Sequence, residues 1–269
     1  MALVEDLGQY GDITTQAIAG KDHPAKGRII AKAPGVISGL DVAIDVFYAV
    51  DAGITCQKQV SDGDVVEQMT PVLTFQGNGA GLLSAERTVL NFLGRLSGIA
   101  TLTHEFVSRV EGTNAKILDT RKTTPGWRLL EKYAVICGGG MNHRMGLYDM
   151  FLLKENHISH AGGIPQAVEK CRQYMQKENI DALIEVETRN IQEFKSALDL
   201  NVDRIMLDNM SMDVIKQCVA LNEKKIPLEI SGNVNLDTVR GYADTGIDFI
   251  SIGALTHSAK NLDLSMLLD

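Results

Sequence analysis

At 269 residues, 45% of them apolar and 22% charged, the chain has the composition of a globular protein with a substantial core. Its net charge of −8 argues against a nucleic-acid partner, which would call for a basic stripe. No apolar run reaches the ~18 residues of a membrane span, and the N-terminus MALVEDLGQYGD is acidic where a secretory leader is basic. Cys56, Cys137, Cys171 and Cys218 form no C-x-x-C pair and read as reduced thiols, so a cytoplasmic location is expected.

From Lys26 to Asn78 short apolar stretches alternate with glycine turns. RIIAKAPGVISG predicts two strands across Pro34-Gly35, and Leu40, Ala43, Ile44 and Phe47 recur at helical spacing. ITCQKQV, SDGDVV and PVLTF read as strand, turn and strand, which completes a small α+β sandwich. A long amphipathic helix is then expected from Ser84 to about Glu111, with a possible break at Gly98. After it, apolar runs at AKILD, MFLLK, ALIEVE, DRIMLD, IPLEIS and DFISIG alternate with helical stretches. Asn190 with Glu193 makes a capping pair and Gly246 a helix stop. This alternation predicts a parallel sheet with crossover helices, too few units for an eight-fold barrel and suited to an incomplete one.

The carboxyl ends of those strands carry the chemistry. They run into Thr120-Arg121-Lys122-Thr123, Lys154, Glu187, Asp208-Asn209, Ser231-Gly232-Asn233 and Gly253. In parallel α/β folds these positions line the rim where ligands bind. Between residues 119 and 157 there are six Arg/Lys against four Asp/Glu, and the group Arg121, Lys122, His143, Arg144 and Lys154 points to an anionic small molecule. The glycine-bearing turns after the last two strands suit a phosphate, and Glu187 with Asp208 could hold Mg²⁺ carrying a pyrophosphate. Bland readings stand beside these. Arg121-Lys122 could be a solvated pair, His143 a structural histidine, His257 either, and Arg87 in the first turn of the long helix a surface ion-pair partner. Gly138-Gly139-Gly140 has no strand before it and reads as a turn presenting His143.

The segments SAERTVLNFLGRLSGIAT, ILDTRKTTPGWRLLEKYAVICGGGMNHRMGLYD, LKENHI, IEVET, IMLDNM, LEISGNV and FISIGALTHS resemble the quinolinate phosphoribosyltransferase family in order and spacing, over nearly the whole chain. The resemblance implies a type II phosphoribosyltransferase fold: an N-terminal α+β sandwich over residues 1–99 and an incomplete TIM-like α/β barrel over 100–253. It also implies that a tail, 254–269, returns toward the first domain. The implied activity is transfer of the phosphoribosyl group of phosphoribosyl pyrophosphate (PRPP) to quinolinate with decarboxylation, in NAD biosynthesis. It implies Mg²⁺, and a homodimer, open to further assembly, in which Arg87 of the partner subunit enters the site. Quinolinate would be held by that Arg87 with Arg121, Lys122, Thr123, His143, Arg144 and Lys154. PRPP and its phosphates would meet Lys122, Lys154, Glu187, Asp208, Ser231, Gly232, Asn233, Gly253 and His257. Lys122, Glu187 and Asp208 would be catalytic, with Glu187 and Asp208 toward the metal. LKENHI departs from the aspartate more usual before Asn156, and Glu155 keeps the charge. The alternative is a molybdenum-transport-associated paralogue of the same fold. A nicotinate or nicotinamide phosphoribosyltransferase would leave this density of cations unpaired. A biotinyl or lipoyl carrier, suggested by GDVVEQMTPVL, lacks the lysine context it needs.

Overall fold

A computed structural model describes residues 1–18 and 23–269, and the chain divides into two compact units. Unit 1 is Met1–His104, Leu130–Gly139 and Ser258–Asp269, and unit 2 is Glu105–Leu129 and Gly140–His257.

In unit 1, two short helices, α1 (Ala2–Leu7) and α2 (Ile13–Ile18), precede β1 (Pro24–Ala31), β2 (Gly35–Val36), α3 (Leu40–Val50), β3 (Thr55–Lys58), β4 (Val65–Val66) and β5 (Pro71–Asn78). The C-terminal strand β12 (Leu264–Leu268) pairs antiparallel with β1, giving a four-stranded sheet in the order β12-β1-β5-β3. β2 and β4 make a separate two-stranded ribbon, so part of SDGDVV is strand rather than turn. The helical spacing in LDVAIDVFYAV is realised: α3 buries Leu40, Ala43 and Phe47, and Phe47 meets Phe75 of β5 at 5.1 Å between ring centroids.

The long helix α4 runs from Gly79 to Arg109 without interruption, beginning earlier than its apolar pattern suggests. The break expected at Gly98 does not occur. A Cβ at Gly98 would lie 2.0 Å from the carbonyl oxygen of Lys260, so glycine there lets the returning C-terminal chain approach the helix. Residues 128–137 form a helix, α5, that the apolar pattern conceals. Its buried side carries Glu131 and Lys132, both 0% exposed, while Leu129, Tyr133 and Ile136 face outward. Glu131 is paired with Arg95 of α4 at 2.9 Å. Ala134 and Val135 share that inner face, so buried charge inside and exposed apolar residues outside blur the usual signal.

Unit 2 contains β6 (Lys116–Leu118), β7 (Met150–Leu153), α6 (Glu155–Ala161), α7 (Ile164–Glu178), β8 (Leu183–Thr188), α8 (Ile191–Asp199), β9 (Arg204–Asp208), α9 (Met212–Asn222), β10 (Leu228–Ser231), α10 (Val239–Ala243), β11 (Phe249–Ser251) and α11 (Ala254–His257). The six strands are parallel, in the order β6-β11-β10-β9-β8-β7. β6 and β7 are edges, so this is an incomplete barrel. Asn190 caps α8, its side chain accepting from the Gln192 and Glu193 N–H groups, and Gly246 adopts φ +87° past the end of α10. Glu193 turns back one residue further than expected, onto the N–H of Arg189.

Candidate active site

Alternation along the paired strands of unit 2 sorts their side chains into two faces. Ile184, Val186, Ile205, Leu207, Leu228, Ile230 and Ile250 are buried on one, the side on which α7, α8 and α10 pack. The other face carries Glu185, Glu187, Arg204, Met206, Asp208, Glu229, Ser231, Phe249 and Ser251. The ionic residues at the strand ends therefore belong to a polar interior that continues down the sheet.

A cavity of ≈ 650 Å³ opens at the carboxyl ends of the strands. Arg121, Lys122, His143, Arg144, Lys154, Glu187, Asp208, Ser231, Gly232, Asn233, Gly253 and His257 all line it. Two expected site residues do not. Thr123 uses its hydroxyl to accept from Arg128 Nε at 3.0 Å. Arg87 sits exposed on α4 in unit 1, with no hydrogen-bond or ion-pair partner among the described residues. Thr120, Asn209 and Ser251 line the cavity without having been assigned a role.

The cations occupy the sheet's edges. Arg121 and Lys122 follow edge strand β6, Lys154 follows edge strand β7, and His143-Arg144 lie on the loop leading into β7. That loop is pinned to β6 rather than free. Met141 bridges Leu118, and the His143 N–H donates to the buried Asp119 carboxylate at 2.9 Å. Asp149 secures its far end by accepting from the Met145 and Gly146 N–H groups at 2.6 and 3.1 Å. Arg144 is held through its guanidinium to the Met150 carbonyl at 3.1 Å. Burial, then the like charge of Arg121, depress its proton affinity. Arg121 Nε is a buried donor with no acceptor among the described residues. Two crowded guanidiniums, one with an orphan N–H, need an anion.

The inner strands supply acids and turns. Glu187 is met by Lys154 Nζ at 3.2 Å, and Asp208 ends β9. Behind it Asn209, in the left-handed region, donates to Asp208 and accepts from Asn233 Nδ2 at 3.0 Å each. Gly232, at φ +100°, has Asn209 Oδ1 2.2 Å from where a Cβ would stand, so only glycine fits. At Gly253 the position of a Cβ lies 2.8 Å from Lys122 Cδ and 3.3 Å from His257. Lys122 therefore lies across the glycine turn.

Beneath the cations, His143 Nε2 faces Glu185 Oε2 at 3.1 Å and Glu229 Oε1 at 3.5 Å, and Glu229 Oε2 takes Arg204 at 2.9 Å. Burial and the charge of Glu229 raise the Glu185 carboxyl. Glu229 is held low against burial by His143 and Arg204. Burial lowers the proton affinity of His143, and the two carboxylates more than reverse that. Opposing them, Nδ1 already accepts the Arg144 N–H at 2.7 Å. That bond needs the Nδ1 lone pair, and the two carboxylates stand close to Nε2, so we assign a neutral ring with its proton on Nε2. These mid-strand acids lay outside an expectation drawn from strand ends. Their signal was a charge inside the apolar runs LIEVET and LEIS.

Residues 12–97 match the quinolinate phosphoribosyl transferase N-terminal domain, and residues 99–267 match the C-terminal domain of the same name. The chain is 43% identical to the mitochondrial quinolinate phosphoribosyltransferase [decarboxylating] 2b of Nicotiana tabacum, over 100% of this chain and 80% of that protein. It is 41% identical to the chloroplastic nicotinate-nucleotide pyrophosphorylase [carboxylating] of Arabidopsis thaliana, over 100% and 81%. Among solved structures, NadC from Streptococcus pyogenes superposes with a TM-score of 0.95 at 42% identity, covering 100% of this chain and 94% of that one. The nicotinate-nucleotide pyrophosphorylase of Ehrlichia chaffeensis gives 0.94 at 39% identity, covering 100% and 96%. The chain belongs to the quinolinate phosphoribosyltransferase family.

Proposed function

We propose that the cavity of unit 2 transfers the phosphoribosyl group of PRPP to quinolinate with loss of CO₂, giving nicotinate mononucleotide and pyrophosphate in NAD biosynthesis. One observation carries the reading: cations on the two edge strands and their loop, acids and glycine turns on the inner strands, all facing one cavity. Arg121, Arg144 and Lys154, with Lys122 and His143 beside them, take the two carboxylates of quinolinate. Thr123 serves indirectly, through Arg128. Ser231, Gly232, Asn233, Gly253 and His257 take the 5-phosphate, with Lys122 and Lys154 between the two substrates.

As pyrophosphate leaves, positive charge develops on the ribose, and the Glu187 and Asp208 carboxylates stabilise it. The cations meanwhile hold the quinolinate ring nitrogen in line for attack, and positioning supplies much of the acceleration. The product is a pyridinium whose nitrogen stabilises the carbanion left by the departing carboxylate, so the chain needs no organic cofactor. Mg²⁺ suits the all-oxygen donors that Glu187 and Asp208 offer, and when bound it neutralises pyrophosphate charge.

Arg87 fits the same scheme from outside. It is exposed on α4, and because the helix begins at Gly79 it lies in the third turn rather than the first, so the dipole does not explain it; it has no partner among the described residues. A second copy of the chain would give it one, so we assign it to the partner's quinolinate within a homodimer. No helix among the described residues is long and apolar enough to cross a membrane. The four cysteines are all unpaired, which suits a reducing, cytoplasmic setting.

The test is CO₂ release from quinolinate, PRPP and Mg²⁺, with nicotinic acid as the competitor. A single carboxylate leaves desolvated cations unpaired, so nicotinic acid should be a poor substrate. Comparable kcat/KM for the two acids would reject the substrate assignment.

A further inference from the structure

Under the cationic end of the cavity the polar face of the sheet holds more buried charge than packing requires. Glu185 of β8 and Glu229 of β10 are each 0% exposed. Arg204 of β9 pairs with Glu229 at 2.9 Å and lies 4.2 Å from the Phe249 ring centroid. Replacing buried charges of this kind by apolar side chains is often neutral or stabilising, so stability alone does not account for them. The opposite face of the same strands is apolar except for Thr188, whose hydroxyl donates to the Met206 carbonyl.

What the two carboxylates share is His143. Its Nε2 looks at both, at 3.1 and 3.5 Å, and its own N–H is fixed on Asp119. On the far side of the ring, Nδ1 accepts the main-chain N–H of Arg144 at 2.7 Å. A ring that accepts at Nδ1 and faces two carboxylates at Nε2 has one satisfactory tautomer, with its proton on Nε2. A proton on Nδ1 would point straight at the Arg144 N–H. The chain of contacts thus runs from the floor of the sheet through the imidazole to the backbone of Arg144, whose guanidinium stands beside Arg121 at the cavity wall.

We propose that Glu185 and Glu229 are positioning residues for the anion site: they lock His143 as the Nε2–H tautomer, and its Nδ1 fixes the main chain that carries Arg144. The kinetic consequence rests on the assignment of Arg144 to quinolinate made above. The tautomer does not, because it can be observed without substrate.

The first measurement is nitrogen-15 NMR of the ligand-free protein labelled on histidine, with a His143→Asn spectrum to assign the ring. At neutral pH the expected signature is a protonated Nε2 and an unprotonated Nδ1. A doubly protonated ring, or the reverse tautomer, overturns the proposal. The second measurement uses Glu185→Gln, which keeps shape but can present an amide N–H to the ring. The expected result is loss of the single tautomer and a KM for quinolinate raised about tenfold, with kcat changed much less and the KM for PRPP unmoved. Glu229→Gln is the second variant should the first not fold. A folded variant with an unaltered ring signature and unaltered KM overturns the proposal. Wild-type protein that shows the Nε2–H ring yet turns over no quinolinate supports the lock and rejects the substrate reading instead.

Discussion

Lys154 Nζ lies 3.2 Å from Glu187 Oε2, joining the cation after edge strand β7 to the acid on β8. Each group belongs to a different half of the proposed site, so the pair links the quinolinate half to the ribose half. The Lys154 side chain is 51% exposed, and ion pairs this open contribute only ~0.2–1 kcal/mol to stability. Lys154→Met should therefore leave the thermal midpoint nearly unchanged. Its kcat/KM should fall at least about tenfold, since one charged partner of a substrate carboxylate is gone. A parallel loss of midpoint and activity, seen by calorimetry, would assign the lysine to stability instead.

Removing an acid should separate the two halves. Glu187→Ala or Asp208→Ala is expected to impair PRPP use by tenfold or more, at roughly 1.4 kcal/mol per decade. Quinolinate binding should change far less. Titration calorimetry with quinolinate is the check, and equal losses for both ligands would reject the division.

The loop before β7 has its own dependence on pH. Burial raises the Asp149 carboxyl, but the Met145 and Gly146 N–H groups and the charge of Arg144 outweigh it, leaving it below its usual 3.8. A carboxyl whose folded value is depressed contributes stability above the unfolded value and loses it as pH falls through the folded one. The loop should therefore loosen only below about pH 4, reversibly. Asp149→Ala should reproduce that state at neutral pH. Hydrogen exchange at Met145 and Gly146 should then speed up and the KM for quinolinate rise several-fold; unchanged exchange would remove the loop-clamp role.

Arg87 tests the shared site. Arg87→Ala and Arg144→Ala should each be nearly inactive, at a cost on the order of 2–5 kcal/mol. After subunit exchange, half of the sites in each mixed dimer carry no lesion. Activity should return to about a quarter of wild type for random mixing, because half of the dimers are mixed and half of their sites are intact. Exchange confirmed by mass spectrometry with no return of activity would place Arg87 outside the partner's cavity.

Gly98 offers a test in unit 1. An added Cβ meets the Lys260 carbonyl oxygen at 2.0 Å, a backbone atom that cannot swing away. Gly98→Ala should destabilise by about 1–3 kcal/mol despite the better helix propensity of alanine. A thermal midpoint that rises would show the C-terminal chain free to retreat.

Much of this was legible in the sequence because strand ends are simple. Asp208 and Ser231 end their strands, Glu187 lies one residue short of an end, and all three line the cavity. Legibility failed where a residue's neighbours come from afar. Gly98 looks like a helix break until Lys260 is beside it. α5 is hard to see because Glu131 and Lys132 share its inner face with Ala134 and Val135, and Glu131 finds Arg95 only in the fold. Glu185 and Glu229 are single charges in apolar runs, 44 positions apart by their numbering, and only strand order brings both to His143. Arg87 looked like a first-turn cation only because the helix start was placed at Ser84 instead of Gly79, and nothing local says what it meets.

The pairing of β12 with β1 has a consequence for how the chain comes to exist. A ribosome releases β1 well before β12, so until β12 emerges β1 carries an unsatisfied edge. Ile29 of that strand pairs with Met266, and Gly27 with Leu268. The nascent first unit must wait, half-built, while the whole second unit emerges. Until β12 arrives to close the sheet, β1 stays open to strands of other chains.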